Sequence, residues 1–427
     1  LRWSITDGGT ASIDGGVGSV DALMGTTTVS PSITTTYTLT ATNAYGSVTA
    51  QATVTVTQGI PPDPSTVAPP IDPTVATTVH ASTEFLYTGS NPIQTGVTAG
   101  TIEAKRAAVL RGKVLNRDGQ PLPGVTISIL NHPEFGQTLS RLDGMFDLMV
   151  NGGTPLTLSY EKAGFLKAQR QAEVPWQEFI MFPDVILIPL DFQVTTVDLS
   201  APAMQVARGT VQTDADGNRQ ATLLIPQGTI ATQVMPDGST QSLSNLSIRA
   251  TEYTVGPNGP KTMPAELPAN VGYTYCVELT AEEAEQAGAT QVRFNLPLPF
   301  YVENFLGFPI GTKVPSGYYD RQKGAWIPSP NGLVIKIVGV TAALADLDVD
   351  SVPGADPSLY ASLGITDAER QQLANLYPIG EELWRIPMIH FSPWDYNWPY
   401  GPPSTATPPM QPSPTQRKPY CEPCQQR

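Results

Sequence analysis

The sequence predicts an all-β chain of tandem β-sandwich domains, closed by a short mixed, partly helical C-terminal region. Short apolar/polar alternations recur along most of the chain, bounded by Gly, Pro, Asn or Asp. The 42 Pro and 37 Gly residues follow no period, which means many turns and linkers rather than a collagen helix. Only 15% of residues are charged, while Thr, Val, Ala and Ser are abundant. That composition suits β-rich, non-cytosolic modules more than a helical enzyme. At 427 residues the chain should divide into roughly two to four domains.

Residues 1–57 read as one β domain. Trp3 and Ile5 alternate, Ile13-Asp14-Gly15-Gly16-Val17-Gly18 supplies a hairpin turn, and Tyr37 to Thr42 alternates before a turn at Asn43-Ala44-Tyr45-Gly46. A strand from Val48 to Val56 should close it. Residues 58–101 form a Pro-rich linker, extended where IPPDPSTVAPPIDP falls, and then a packing segment with Phe85, Tyr87 and Ile93.

Residues 102–192 carry the clearest pattern. VLRGKVL and PLPGVTISIL are joined by Asn116-Arg117-Asp118-Gly119, and Leu142-Asp143-Gly144 leads into a strand at Met145. Gly accepts positive φ in such a reversal and Asp can hydrogen-bond locally. Val125, Ile127 and Ile129 should face one core, as should Phe146 and Leu148. Residues 193–340 continue in strands, with a capping box of Thr280 and Glu283 expected to start a helix over Ala281–Gln286. Residues 341–400 change character: a second capping box, Thr366 with Glu369, should start a helix from Ala368 to Tyr377. Residues 401–427 are a Pro-rich tail ending in a CxxC of Cys421 and Cys424, open to zinc, a disulfide or free thiols. Cys276, alone in an alternating strand, reads as a small buried hydrophobe.

Several function classes drop out on charge and motif. Formal charge is −14 and no basic block occurs, so nucleic-acid binding is not expected. No apolar run reaches the roughly 18 residues that span a bilayer. Leu1 is not Met and lies inside a strand pattern, so the natural start is expected upstream. His80, His132 and His390 lie in different regions, and His132 reads as a loop residue. His390, Ser392 and Asp395 offer three triad chemistries within six residues, but Pro-broken chain is a poor way to orient them. No catalytic residue is assigned, and the chain is expected not to be an enzyme.

Two features could carry function. Asp346, Asp348 and Asp350 stand at alternate positions, and a loop containing Gly354 could add Asp356. Such carboxylates can turn several oxygens toward Ca²⁺, the expected cofactor. The EF-hand spacing is not kept, because Ser351 and Pro357 hold the positions of the turn glycine and the bidentate acid. A solvated acidic turn capping the next helix is the alternative. The second feature is the ribbon from Phe391 to Tyr400, where Phe391, Trp394, Tyr396, Trp398 and Tyr400 put five aromatics in ten residues. Aromatic rings at that density need burial, and the segment offers little local structure. It is expected to dock into a larger body. Tyr318, Tyr319 and Trp326 form a smaller cluster that could buttress loops or present a glycan platform.

Three stretches resemble known families. WSITDGGTASIDGGVGSV and TVSPSITTTYTLTATNAYGSVTAQATVTV resemble bacterial immunoglobulin-like (PKD-like) repeats. RGKVLNRDGQPLPGVTISI, RLDGMFDLMV and LTLSYEKAGF resemble transthyretin-like or carboxypeptidase-regulatory modules. TLLIPQGT, VENFLGFPIGTKVPSGYYDRQKGAWIPSPNG and HFSPWDYNWPY, in that order, resemble the region preceding the repeats of bacterial Rhs/YD-repeat, teneurin-like proteins. That resemblance implies a fibronectin-like plug closing a YD-repeat shell encoded downstream, and an enclosed C-terminal toxin domain. It also implies a secreted or cell-surface (bacterial) location, with the five aromatics of the ribbon as shell-docking anchors. The alternative it leaves open is an extracellular adhesion module binding a surface receptor, protein or glycan.

Overall fold

The computed structural model describes residues 1–6, 9–29, 31, 35–54, 59–268 and 271–399, and its elements are overwhelmingly β-strands. In the first unit the hairpin Thr35–Asn43 with Gly46–Val54 pairs antiparallel to Thr10–Ile13, which pairs to Gly18–Val20. Tyr45 N–H donates to Asn43 Oδ1 at 2.9 Å and Gly46 takes φ 144°, closing the turn. Ala11, Ile13, Tyr37 and Ala41 are buried, but most of the Gly46–Val54 strand is exposed.

The stretch 60–73 is not extended throughout. Pro64–Val67 forms a helical turn, because Asp63 caps it by accepting the Ser65 N–H at 2.8 Å and Pro sits where a donor is not needed. Farther on, Leu86 and Ile93 bury against Ala107, Val109 and Met149. The buried amide of Gln94 donates to the carbonyls of Phe135 (2.7 Å) and Met149 (2.8 Å) and accepts the Met149 N–H (2.6 Å). The segment is thus stitched to the next domain rather than laid loosely along it.

That domain is a two-sheet sandwich. One sheet runs Ala168–Val174, Thr154–Glu161, Thr126–Ile129, Gln137–Leu139 and Gln94–Thr95. The other has Ala107–Leu115 at its centre, antiparallel to Met145–Asn151 and parallel to both Phe179–Met181 and Val185–Ile186. Val125, Ile127, Phe146 and Leu148 are at most 1% exposed and share one core with Leu158 and Tyr160. Asn116 Oδ1 holds the first turn by accepting the N–H groups of Asp118 (3.0 Å) and Gln120 (2.8 Å). Gly144 sits at φ +79°, and a Cβ there would lie 2.5 Å from the Val114 carbonyl oxygen.

Residues 193–399 make a larger sandwich. One sheet is ordered Thr195–Asp198, Asn245–Glu252, Cys276–Ala281, Pro393–Asp395, Gly317–Asp320 and Ala325–Pro328. The facing sheet runs Gln205–Arg208, Thr222–Ile225, Gln291–Glu303, Glu382–Phe391, Gly332–Thr341 and Lys313–Val314. Leu344–Asp348 pairs with Gly332–Thr341, and the hairpin Ala231–Val234 with Thr240–Leu243 joins Gln291–Glu303. The expected split at residue 340 is therefore not a structural boundary. Glu382–Phe391 lies between Gln291–Glu303 and Gly332–Thr341, so the last part of the chain completes the sandwich.

Two helix starts came out differently. Thr366 Oγ1 accepts the Glu369 N–H at 3.2 Å, and Glu369 answers to the Thr366 N–H, giving a capping box at the helix Asp367–Leu376. The Thr280–Glu283 box does not form. Thr280 is held in the strand Cys276–Ala281, and both Glu283 oxygens accept the Ser247 N–H instead (3.0 and 2.9 Å). Ladder pairing with Arg249 fixes Thr280 before it can turn to cap.

Candidate functional site

The aromatic ribbon sits inside its own chain. Trp394 and Tyr396 are 0% exposed, Phe391 5%, and Trp398 is half-buried against the same core. The chain crosses at Ser392 from one sheet to the other, so Phe391 pairs with Val292 while Trp394 pairs with Val277 and Tyr318. Tyr396 then stacks between Tyr275 (centroids 6.0 Å, 15°) and Phe300 (5.9 Å, 23°), and Trp398 stacks on Phe308 at 3.8 Å. The expectation that Phe391, Trp394, Tyr396 and Trp398 dock into an external shell is corrected: their faces are already covered. Tyr400 lies outside the described residues, as do Cys421 and Cys424. The misreading has a physical cause. The covering rings come from positions as much as 121 residues away, as Tyr275 is from Tyr396, which no local pattern displays.

His390, Ser392 and Asp395 do not assemble a triad. Ser392 Oγ lies 3.0 Å from His390 Nδ1, but the imidazole stacks on Trp394 (4.9 Å, 22°) and meets Tyr318 edge-on at 4.3 Å. Among the described residues no carboxylate hydrogen-bonds to that ring. Asp395 accepts from the Asn397 amide instead. Burial pushes the His390 pKa down to about 4 and the Asp395 pKa up to about 7, so the histidine is neutral and packed. His132 Nδ1 lies 2.8 Å from Glu134 Oε1 in its loop. Cys276 is fully buried, and burial holds its thiol well above the ordinary range.

Tyr318, Tyr319 and Trp326 do not stand free on the surface: one is buried and two are half-buried. Tyr319 is 3% exposed, Tyr318 is wedged between His390 and Trp394, and the Trp326 indole donates to the Glu266 carbonyl at 2.8 Å. Their surroundings form the seam between the two sandwiches. Tyr319 OH donates to Gln169 Oε1 (2.7 Å), and Gln169 Nε2 donates to the Arg321 carbonyl (3.1 Å). The Arg321 guanidinium grips Glu278 through both oxygens (2.6 and 2.7 Å), the Tyr253 hydroxyl (3.1 Å) and the Lys167 carbonyl (3.0 Å). Arg170, buried in the first sandwich, donates to the Lys261 carbonyl of the second at 2.8 Å. Beneath these lies an apolar seam of Leu166, Ile186, Ile188, Met263 and Cys276. Sequence reading missed Gln169, Arg170, Glu278 and Arg321. The alternation that put Glu278 and Arg170 in line with apolar neighbours on their strands was the only local hint.

Of the four aspartates expected at a cation, three converge. Asp348, Asp350 and Asp356 each bring an oxygen within 4.8 Å of the others. Asp346 is excluded: it pairs with Arg370 (3.1 Å) and accepts from Thr341 Oγ1 (2.7 Å). Asp346 and Asp348 alternate on one strand, yet the helix Asp367–Leu376 supplies Arg370 only on the Asp346 side.

Two β-sandwiches are thus packed together and locked by buried polar contacts at Gln169, Arg170 and Arg321. Comparison with known proteins finds likeness over part of the chain. Residues 102–187 match the family described as the teneurin TTR-like domain. The chain is 34% identical over 154 residues to teneurin-3 of Danio rerio, covering 34% of this chain and 6% of that protein. It is 32% identical over 179 residues to human teneurin-4 (41% and 6%) and 36% over 115 residues to teneurin-m of Drosophila melanogaster (27% and 4%). The chain thus spans about 6% of the length of the curated relatives it first matches. Residues 102–187 are therefore similar to the TTR-like domain of teneurins. Overlay on solved structures is slight: for a catechol 1,2-dioxygenase from Acinetobacter the TM-score is 0.18 at 12% identity, over 22% of this chain and 56% of that one.

Proposed function

We propose that the chain is a non-catalytic module of a teneurin-like, secreted or cell-surface protein, acting in extracellular adhesion through protein contact. The observation that carries this is the seam at Arg321. A guanidinium bound to Glu278 on its own side and to the Lys167 carbonyl across the boundary resists hinge motion between the sandwiches. Adhesion under load needs such rigidity. The relatives are teneurins, which favours a surface module over the scaffold of a toxin carrier. The shell-plug reading also lost its motive when the aromatic ribbon proved to be covered from within. A glycan partner has less behind it than a protein partner, because Tyr319 is buried and Tyr318 and Trp326 are half-buried with their rings engaged within the chain. Among the described residues no helix is long and apolar enough to cross a membrane.

The test uses beads carrying the full chain over cell monolayers. They should adhere, protease treatment of the cells should abolish adhesion, and glycosidase treatment should not. Arg321→Ala should weaken adhesion and raise amide exchange at Lys167–Gln169, at a stability cost of about 2 kcal/mol for an ion pair still partly open to water. Adhesion no greater than that of beads bearing an unrelated β-sandwich would sink the reading.

A further inference from the structure

The loop between the strand Leu344–Asp348 and the short helix Pro357–Tyr360 holds three carboxylates in one place. Each spends one oxygen on a backbone N–H of the loop. Asp348 Oδ2 accepts from Gly354 (3.3 Å), Asp350 Oδ1 from Val352 (2.6 Å) and Asp356 Oδ2 from Val349 (2.8 Å). The Asp356 N–H closes the loop by donating to the Leu347 carbonyl at 3.0 Å. A second, independent observation comes from Asp348. Its side chain is 5% exposed, and Oδ1 is buried with no hydrogen-bond partner. A buried, unpartnered carboxylate oxygen is costly, and in a native protein it calls for an ion or a water.

Among the described residues no side-chain cation answers it. Lys336 stands opposite Asp348 in the ladder, but its ammonium lies 3.0 Å from Glu382 Oε1. Arg370 is committed to Asp346 and Asp367. None of the three loop aspartates forms an ion pair among the described residues. Three carboxylates that fold together without a counter-charge repel one another unless a cation sits between them.

We propose that Asp348, Asp350 and Asp356 bind one Ca²⁺ ion. All donors are hard oxygens, and their spread of at most 4.8 Å is the distance across an ion whose ligands lie at about 2.4 Å. Asp350 and Asp356 are half-buried, so water can reach the rest of a shell of roughly 6–8 ligands. The loop is irregular and not built for the strict octahedron that Mg²⁺ demands. The ion would also fix the loop to the sandwich. Asp350 lies so close to Gly311 that a Cβ on that glycine would be 2.8 Å from the Asp350 Cα, and the site is one loop away from the Lys313–Val314 edge strand.

Isothermal titration of the chelator-treated full chain with CaCl₂ tests this. One equivalent should bind, with a dissociation constant of about 10⁻⁵–10⁻³ M, and saturating Ca²⁺ should raise the thermal midpoint by several degrees. Asp348→Asn should weaken binding by roughly 100-fold and, by removing the unpartnered charge, raise the midpoint of the metal-free protein. The second response identifies a folded variant that has lost a site. Asp350→Asn should weaken binding as well, whereas Asp346→Asn should leave the affinity unchanged. No heat and no midpoint shift at about 10 mM Ca²⁺ would overturn the proposal. So would full affinity in Asp348→Asn, which would put the ion elsewhere, or equal affinity for Mg²⁺.

Discussion

The TTR-like sandwich and the one after it solve the same packing problem with different materials. In the first, aliphatic residues two apart on short hairpins meet across the core, with Ile127, Leu148 and Leu158 each 0% exposed. In the second, large rings from distant strands fill the centre, where Tyr275, Phe300, Trp384, Trp394 and Tyr396 are all 0% exposed. Tyr275 meets Trp384 edge-on at 6.2 Å and stacks on Tyr396 at 6.0 Å. Near-neighbour pairing makes the first core readable and locally assembled. The second needs closure of loops longer than a hundred residues before its rings can meet, which costs entropy and slows assembly.

The sharpest way to break the contrast is to truncate a ring. Trp394→Ala should cost about 3–5 kcal/mol, because it removes a fully buried indole and the His390 carbonyl loses its donor at 3.1 Å. Ile127→Val in the first sandwich should cost only about 1 kcal/mol. Urea unfolding of the two variants measures both, and equal losses would erase the distinction.

A smaller effect is expected at the capping box, a local device within the long-range sandwich. Thr366→Ala should cost about 1 kcal/mol by exposing the helix start. Thr366→Ser should restore most of that in the same unfolding assay.

The least effect is a pH dependence confined to the second sandwich. The Asp395 carboxyl has its pKa raised to about 7 by burial, so the folded state takes up a proton that the unfolded state, near 3.8, does not. Stability from this group is therefore lost as pH rises toward and through about 7 and regained on acidification toward 3.8. His390 acts oppositely. Burial lowers its pKa to about 4 from 6.5, so its contribution is lost as pH falls between those values. Asp395→Asn should remove the fall in the thermal midpoint between pH 6.5 and 8 and leave the smaller, opposite rise from His390. An unchanged slope there would show that the carboxylate titrates normally.

The sequence by itself determined the all-β class, the turns at Asn116–Gly119 and Leu142–Gly144, the inward face of Val125, Ile127 and Ile129, and the helix start at Thr366. Each follows from residues within a few positions of one another, where period, turn chemistry and capping act directly. Tertiary structure alone decided the rest. It gave the aromatic ribbon its cover from residues such as Tyr275 and Phe300, diverted Glu283 to Ser247, set Arg321 on Glu278 at the seam, and drew Asp346 to Arg370 while leaving Asp348 Oδ1 without a partner. The reason is one of range. A local pattern states that a side chain must be buried or paired, whereas the partner is chosen by whichever distant strand the fold brings alongside.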